Sequence, residues 1–411
     1  MSTQSSNGAP ARVVVAGGGL AGLRTLSELR GQGYHGELIW LGSEGVPAYD
    51  RPPLSKELLA RIDPLWLADD LSIDHTALAD VVALDRPATG LELQGGAVVA
   101  VETADGPIPA DAVVIATGST PRRPWSEARS LHNLTDARLL RESIRPGRHI
   151  AIIGAGWIGA EVAGVVAAAG CRVTVLEAGP TPLGQQLGKP AGERIRSWFA
   201  SAGVELITDA EVADVQPDRV RFPNGKTIEA DLVLAAVGVQ PQTQWLRGIV
   251  PLLPNGQLAT GRGGATEVPG IWAVGDVAMR ETVHFGPVPG GHWFSALRDP
   301  ALLAAQLLGR PLPASEPAPE VFSDQLGHHV EMIGRLVSDD EPGAAQVLRE
   351  DADGGWTQLQ IVGEYLVGAI VVDRPADVSA ARKLLRGASL LRIDLDAAGD
   401  PTTPLRTVVA Q

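Results

Sequence analysis

The sequence predicts an α/β protein in which one βαβ plan occurs twice and a smaller α+β domain follows. Three observations predict this. A β-branched run leading into G-x-G-x-x-G appears at Val13–Gly22 and again at Ile150–Gly159. A strand ending in small residues and Gly also recurs, as Ala112–Gly118 and Leu232–Gly238. Beyond the Pro- and Ala-rich stretch Arg310–Pro319 the pattern changes to alternating strands. The two copies read as Rossmann-like dinucleotide-binding domains.

Each glycine of the fingerprint has a task. Gly17 and Gly154 allow the tight turn from strand to helix. Gly19 and Gly156 let bare backbone approach a pyrophosphate. Gly22 and Gly159 let helix and strand pack closely. The first helical turns, Leu20-Ala21 and Trp157-Ile158, then offer unpaired N–H groups and the positive end of a helix dipole to phosphates. A second strand follows each helix, Glu37–Leu41 and Arg172–Leu176. Glu44 and Glu177 come next, roughly 20 residues past their glycines, where a carboxylate accepts from ribose hydroxyls. The plainer alternative is that both are solvated acids at strand ends. A carboxylate at Glu177 would repel a 2′-phosphate, which favours NADH over NADPH.

The remaining elements follow in order. Residues 1–10 are polar and predict a disordered tail. Residues 11–118 form the first nucleotide domain, ending at Ala116-Thr117-Gly118. Residues 119–239 form the second, ending at Val237-Gly238. Residues 240–309 return to the first domain through Ile271–Asp276 and a helix from about Phe294 to Leu308. Residues 320–411 hold strands at Thr357–Val362 and Tyr365–Val372 and a helix near Val378–Leu385.

Composition narrows the function. The net charge of −14 argues against nucleic acid and anionic membranes as partners. No signal peptide or spanning segment is legible, so a cytoplasmic protein is expected. Cys171 is the single cysteine, placed where a helix turns into a strand. An internal disulfide, an Fe–S cluster and a Cys-based zinc site are excluded, and no metal is expected.

Tyr49-Asp50-Arg51-Pro52-Pro53-Leu54-Ser55-Lys56 resembles the corresponding stretch of the FAD- and NADH-dependent ferredoxin reductases. These serve Rieske dioxygenases and haem monooxygenases; rubredoxin reductases and apoptosis-inducing factor are relatives. The resemblance continues through Ala116–Arg122, Gly159-Ala160-Glu161, Ala273–Asp276, His292-Trp293 and Phe322–Gln325. It implies FAD on the first domain and NADH on the second, in the glutathione-reductase-like arrangement. It further implies hydride transfer to flavin N5 and single electrons passed to a ferredoxin that serves an oxygenase.

Site residues follow from the resemblance. FAD would be met by Arg51, Val81, Ala116, Thr117, Gly118, Arg122, Gly275, Asp276 and Trp293. Asp276 would accept from the ribityl chain, Lys56 would sit near flavin N5, and Glu161 would pair with Lys56 and position the nicotinamide amide. NAD would lie along the second fingerprint, Glu177, Val237 and Gly238. The chain departs from the family pattern in several places. Gly290-Gly291 replaces an acid, Ser295 and Asp299 replace Asn and Gln, and Phe322 stands where many relatives have Trp. No Arg occurs in Pro180–Gln186, and Glu57–Ala79 is short. A basic patch for an acidic ferredoxin would come from Arg122-Arg123 or from Arg382, Lys383 and Arg386. Other readings stay open: an NADH oxidase or diaphorase with a small acceptor, or a non-enzymatic flavin-binding redox sensor.

Overall fold

A computed structural model describes residues 8–338 and 340–410; of the tail 1–10, residues 1–7 lie outside the described residues. Two compact units divide the chain. The first gathers the described part of 1–50 with 65–120 and 240–319. Its parallel sheet runs Ile271–Ala273, Ala112–Ile115, Arg12–Ala16, Glu37–Leu41, Val81–Ala83. The strands are Val-, Ile- and Leu-rich because both faces are covered. Val13 and Val15 point to one face, against Leu23, Leu26 and Leu29 of helix Leu20–Gly31 and Leu303 and Leu307 of helix Trp293–Leu307. Val14 points to the other, against Leu91, Val98 and Val101 of an antiparallel meander. The alternation is the two-residue period of a strand.

The second unit gathers 51–64, 121–239 and 320–411. Its parallel sheet runs Val204–Ile207, Arg172–Leu176, His149–Ile153, Leu232–Ala235. The C-terminal part is a five-stranded antiparallel sheet in the order Glu320–Gln325, His328–Gly334, Tyr365–Val372, Trp356–Val362, Ala344–Glu350. Helix Pro375–Leu384 packs on it. One apolar core joins the two parts: Val330, Trp356, Ile370 and Val372 are buried together with Ile150, Val162 and Val166. Gly164 makes the close approach possible, since a Cβ there would lie 3.0 Å from the Leu326 backbone nitrogen.

Residues 51–64 fall inside the 11–118 stretch of the sequence reading, yet they pack with the second unit. Leu58 is buried in that unit's core. The Arg141 guanidinium donates to the carbonyls of Leu58 and Arg61, both at 2.8 Å. Among the described residues no helix is long and apolar enough to cross a membrane.

Candidate functional site

The two fingerprints fold into equivalent cradles. Gly17 has φ +141°, and a Cβ there would lie 2.0 Å from the Ala116 carbonyl oxygen. A Cβ on Gly22 would lie 2.0 Å from the Gly17 carbonyl oxygen. Gly154 has φ +101°, and its Cβ would meet the Ala236 carbonyl oxygen at 2.4 Å; that of Gly159 would meet Gly154 at 2.0 Å. No other residue fits these four places. The middle glycines behave differently. Gly19 faces open space within 4 Å, and Gly156 has only the Gln186 Nε2 at 3.4 Å. Each thus presents bare backbone outward at the start of a 12-residue helix without a side-chain cap or an acid in its first turn. Leu20-Ala21 and Trp157-Ile158 supply those first turns. Two uncapped, glycine-lined helix starts fit two pyrophosphates, so the residues present suit FAD and NADH.

The acids take up positions that the sequence left open. Glu44 accepts from the Tyr49 hydroxyl at 2.7 Å. Glu177 accepts from the backbone N–H of Ala155 at 2.7 Å and of Gly179 at 2.8 Å. It therefore braces the fingerprint turn itself. Each Glu177 oxygen accepts one of these bonds and keeps a further lone pair for a hydroxyl.

In the first unit, Ser119 donates to Asp276 at 2.6 Å, next to Gly275 with φ +74°. Thr117 donates to the Gln242 carbonyl at 2.7 Å, and the Ala116 N–H to Ala16 at 2.8 Å. Gly118 and Gly238 both have positive φ, +71° and +89°. The Val81 side of the sheet is an edge, and Val81 itself is exposed. The Trp293 indole donates to Asp50 at 2.7 Å. Gly290, ahead of His292-Trp293, runs against Gly275: a Cβ on it would lie 2.0 Å from the Gly275 carbonyl oxygen. Asp299 pairs with Arg280 at 3.1 Å, and Arg280 with Glu316 at 2.8 Å. Burial pushes the Asp299 carboxyl up to about 6, against the pull of Arg280.

Arg51 and Arg122 both belong to the second unit. Arg51 donates to the His132 carbonyl at 2.6 Å. Arg122 is exposed and donates to the Val239 carbonyl at 3.2 Å; its backbone N–H meets Gly238 at 3.0 Å. Val237 packs beside the second cradle's core. Arg382 is engaged by Glu320 and Glu331. The Cys171 thiol is buried and donates to the Arg145 carbonyl at 3.1 Å.

The densest polar cluster surrounds Lys56 and Glu161, which the structure brings to 2.7 Å. The Glu161 side chain is 5 % exposed and that of Lys56 14 %. Glu161 also accepts from Ser55 and from Ser323, both at 2.5 Å. Lys56 reaches Asp324 at 3.1 Å and lies 4.9 Å from the centre of the Phe322 ring. Each buried ion offsets the other's desolvation. Lys56 and Ser323 share Oε1, Ser55 takes one site on Oε2, and a second site on Oε2 is left for an amide N–H. Phe322–Gln325 was legible as a motif. Its bonding to residues more than 160 positions earlier was not, since nothing in the spacing reports which strand faces which helix.

Residues 11–292 match the family described as pyridine nucleotide-disulphide oxidoreductase, and residues 321–409 match the reductase C-terminal family. The chain is 30% identical to the benzene 1,2-dioxygenase system ferredoxin–NAD(+) reductase subunit of Pseudomonas putida, covering 97% of each. It is 29% identical to the biphenyl dioxygenase system ferredoxin–NAD(+) reductase component of Paraburkholderia xenovorans, covering 91% of this chain and 92% of that one. Among solved structures, Fdr9 superposes with a TM-score of 0.85 at 35% identity, covering 96% of this chain and 99% of that chain. The reductase of a covalent putidaredoxin reductase–putidaredoxin complex superposes with a TM-score of 0.88 at 25% identity, covering 97% and 98%.

Proposed function

The chain belongs to the pyridine nucleotide-disulphide oxidoreductase family, and from that premise we propose that it is an NADH-dependent, FAD-containing ferredoxin reductase serving an oxygenase. The observation that carries the reading is the pair of matched glycine cradles in a chain whose single cysteine rules out an internal dithiol relay. FAD, when bound, accepts hydride from NADH and gives up its electrons one at a time.

The chain's own residues bind and orient. Gly17, Gly19 and Gly22, with Leu20 and Ala21, would hold the FAD pyrophosphate, Glu44 its ribose and Asp276 its ribityl hydroxyls. Trp293, fixed through Asp50, would cover the ring system. Gly154, Gly156, Gly159 and Glu177 would hold NADH and turn away a 2′-phosphate. Lys56 and Glu161 would orient the nicotinamide amide, with Ser55 and Ser323 holding Glu161 in one rotamer. We assign FAD to the segments 11–118 and 240–309, apart from residues 51–64, and place the protein in the cytoplasm.

The test is the absorbance spectrum of the purified protein and its anaerobic titration with NADH. Bleaching of a flavin spectrum by about one equivalent, followed by reoxidation on adding a plant-type or Rieske-system ferredoxin, is the expected result. Fast reoxidation by oxygen alone with none by ferredoxins would replace this reading with that of an oxidase. A yellow protein that NADH does not bleach would replace it with that of a non-enzymatic redox sensor, and a colourless one would overturn flavin binding itself.

A further inference from the structure

Lys56 has two counter-ions, and the second leads outward through a line of ionisable groups. Asp324 uses Oδ2 for Lys56 and Oδ1 for His329 Nδ1 at 2.6 Å. His329 Nε2 lies 3.1 Å from Glu331 Oε1. Glu331 in turn meets Arg382 at 3.0 Å, and Arg382 also holds Glu320. The His329 backbone N–H donates to Asp373 at 2.8 Å, and Asp373 meets His328 Nδ1 at 2.7 Å. His328 stacks on Trp198 with ring centres 4.2 Å apart. The strand His328–Gly334 is thereby fixed, and the imidazole is held by both its nitrogens.

We propose that His329 is a positioning residue for the Lys56–Glu161 pair: it shares Asp324 with Lys56, so its protonation sets how firmly Lys56 stays on Glu161. The inference rests on the reading of that pair as the nicotinamide-orienting groups. Exposure gives the line a direction. The His329 side chain is 43 % exposed and exchanges protons with solvent, while Glu161 is 5 % exposed.

Both ring nitrogens face carboxylate oxygens. The imidazolium donates to both, whereas neutral imidazole turns one lone pair onto a carboxylate. Burial opposes the charged ring, but the bonds to Asp324 and Glu331 outweigh it and raise the His329 pKa above the usual 6.5. Asp324 is held below its ordinary value, since His329 and Lys56 outweigh its own desolvation. As pH rises through the His329 transition, Asp324 loses one of its two cations. Lys56 is then pulled toward Asp324 and away from Glu161.

Two measurements on the FAD-loaded protein test this. The first is the affinity for 1,4,5,6-tetrahydro-NAD, which cannot give hydride, between pH 6 and 9. Affinity is expected to fall about threefold or more across the His329 titration. In His329→Gln it is expected to be weak and flat over the whole range. A wild-type pH profile in His329→Gln would overturn the proposal. The second is the His329 pKa by NMR without nucleotide. It is expected to rise in Lys56→Met, which removes a nearby cation, and to fall in Asp324→Asn, where the replaced carboxylate is half exposed and the fold is not at risk. An unmoved pKa in both variants overturns the coupling. A moved pKa with unchanged nucleotide affinity in Lys56→Met overturns the reading of the pair on which the inference rests.

Discussion

Glu161 is the residue on which most of the polar geometry converges, with two serine hydroxyls and an ammonium on one carboxylate. Glu161→Gln keeps the shape but removes the charge, leaving Lys56 to Asp324 alone. Flavin reduction by NADH is expected to slow about tenfold or more, with FAD retention unchanged; rapid-mixing absorbance checks both. Glu177→Ala is expected to do more than relax the preference against NADPH. It also frees the N–H groups of Ala155 and Gly179, so NADH affinity should fall by about 1–3 kcal/mol. Calorimetry with NAD and with NADP separates the two effects. Asp299 gives a pH-dependent stability. Its folded pKa of about 6 lies above the ordinary 3.8, so the folded state binds more protons between those values. Stability is therefore highest below about pH 4 for this group, declines as pH rises to about 6, and stays lowered above it. In Asp299→Asn the melting temperature should lose this decline, provided Arg280 keeps Glu316.

The short helix Pro53–Lys56 is only four residues long and cannot hold itself together in water. Buried Leu58 and the Arg141 bonds to the carbonyls of Leu58 and Arg61 hold the segment that carries Lys56. Arg141→Ala is expected to cost about 1–3 kcal/mol and to raise the KM for NADH more than it lowers kcat, measured by steady-state kinetics with ferricyanide. Elements of this kind mark the boundary of what the chain's pattern discloses. The strands Glu37–Leu41, Arg172–Leu176 and Tyr365–Val372 stand where their apolar runs place them, because burial on both faces writes itself into composition. The fingerprints disclose their cradles because only glycine satisfies the contacts at Gly17, Gly22, Gly154 and Gly159. The Ser323–Glu161 and Trp293–Asp50 bonds are different. They join residues 162 and 243 positions apart and leave no periodic trace. Gly290 is intermediate: the departure of Gly290-Gly291 from the family pattern is legible in the sequence, and the passage of Gly290 against Gly275 is not.

At the scale of the whole molecule the excess of acids bears on the acceptor. A chain of net charge −14 repels an acidic ferredoxin unless a local basic surface intervenes. Arg382 is committed to Glu320 and Glu331 and contributes little outward charge. Arg122 and Arg123 are exposed, Arg123 with only a 3.8 Å contact to Asp136. Charge reversal at Arg123 is expected to slow ferredoxin reduction about threefold or more at low salt, with the difference fading as salt screens it; reduction of ferricyanide should not change. The first unit's sheet is seeded by Arg12–Ala16, but its strand Ile271–Ala273 and its helix Trp293–Leu307 leave the ribosome only after the whole 121–239 segment. Until then Val113 and Ile115 have an open edge and helix Leu20–Gly31, seated on Val13 and Val15, lacks the helix Trp293–Leu307 that packs beside it. The second cradle's sheet, with strands confined to 149–235, can close first. A nascent chain halted near residue 270, with 121–239 clear of the exit tunnel, should therefore protect the second cradle from proteolysis while the first remains open to cleavage and to capture by chaperones.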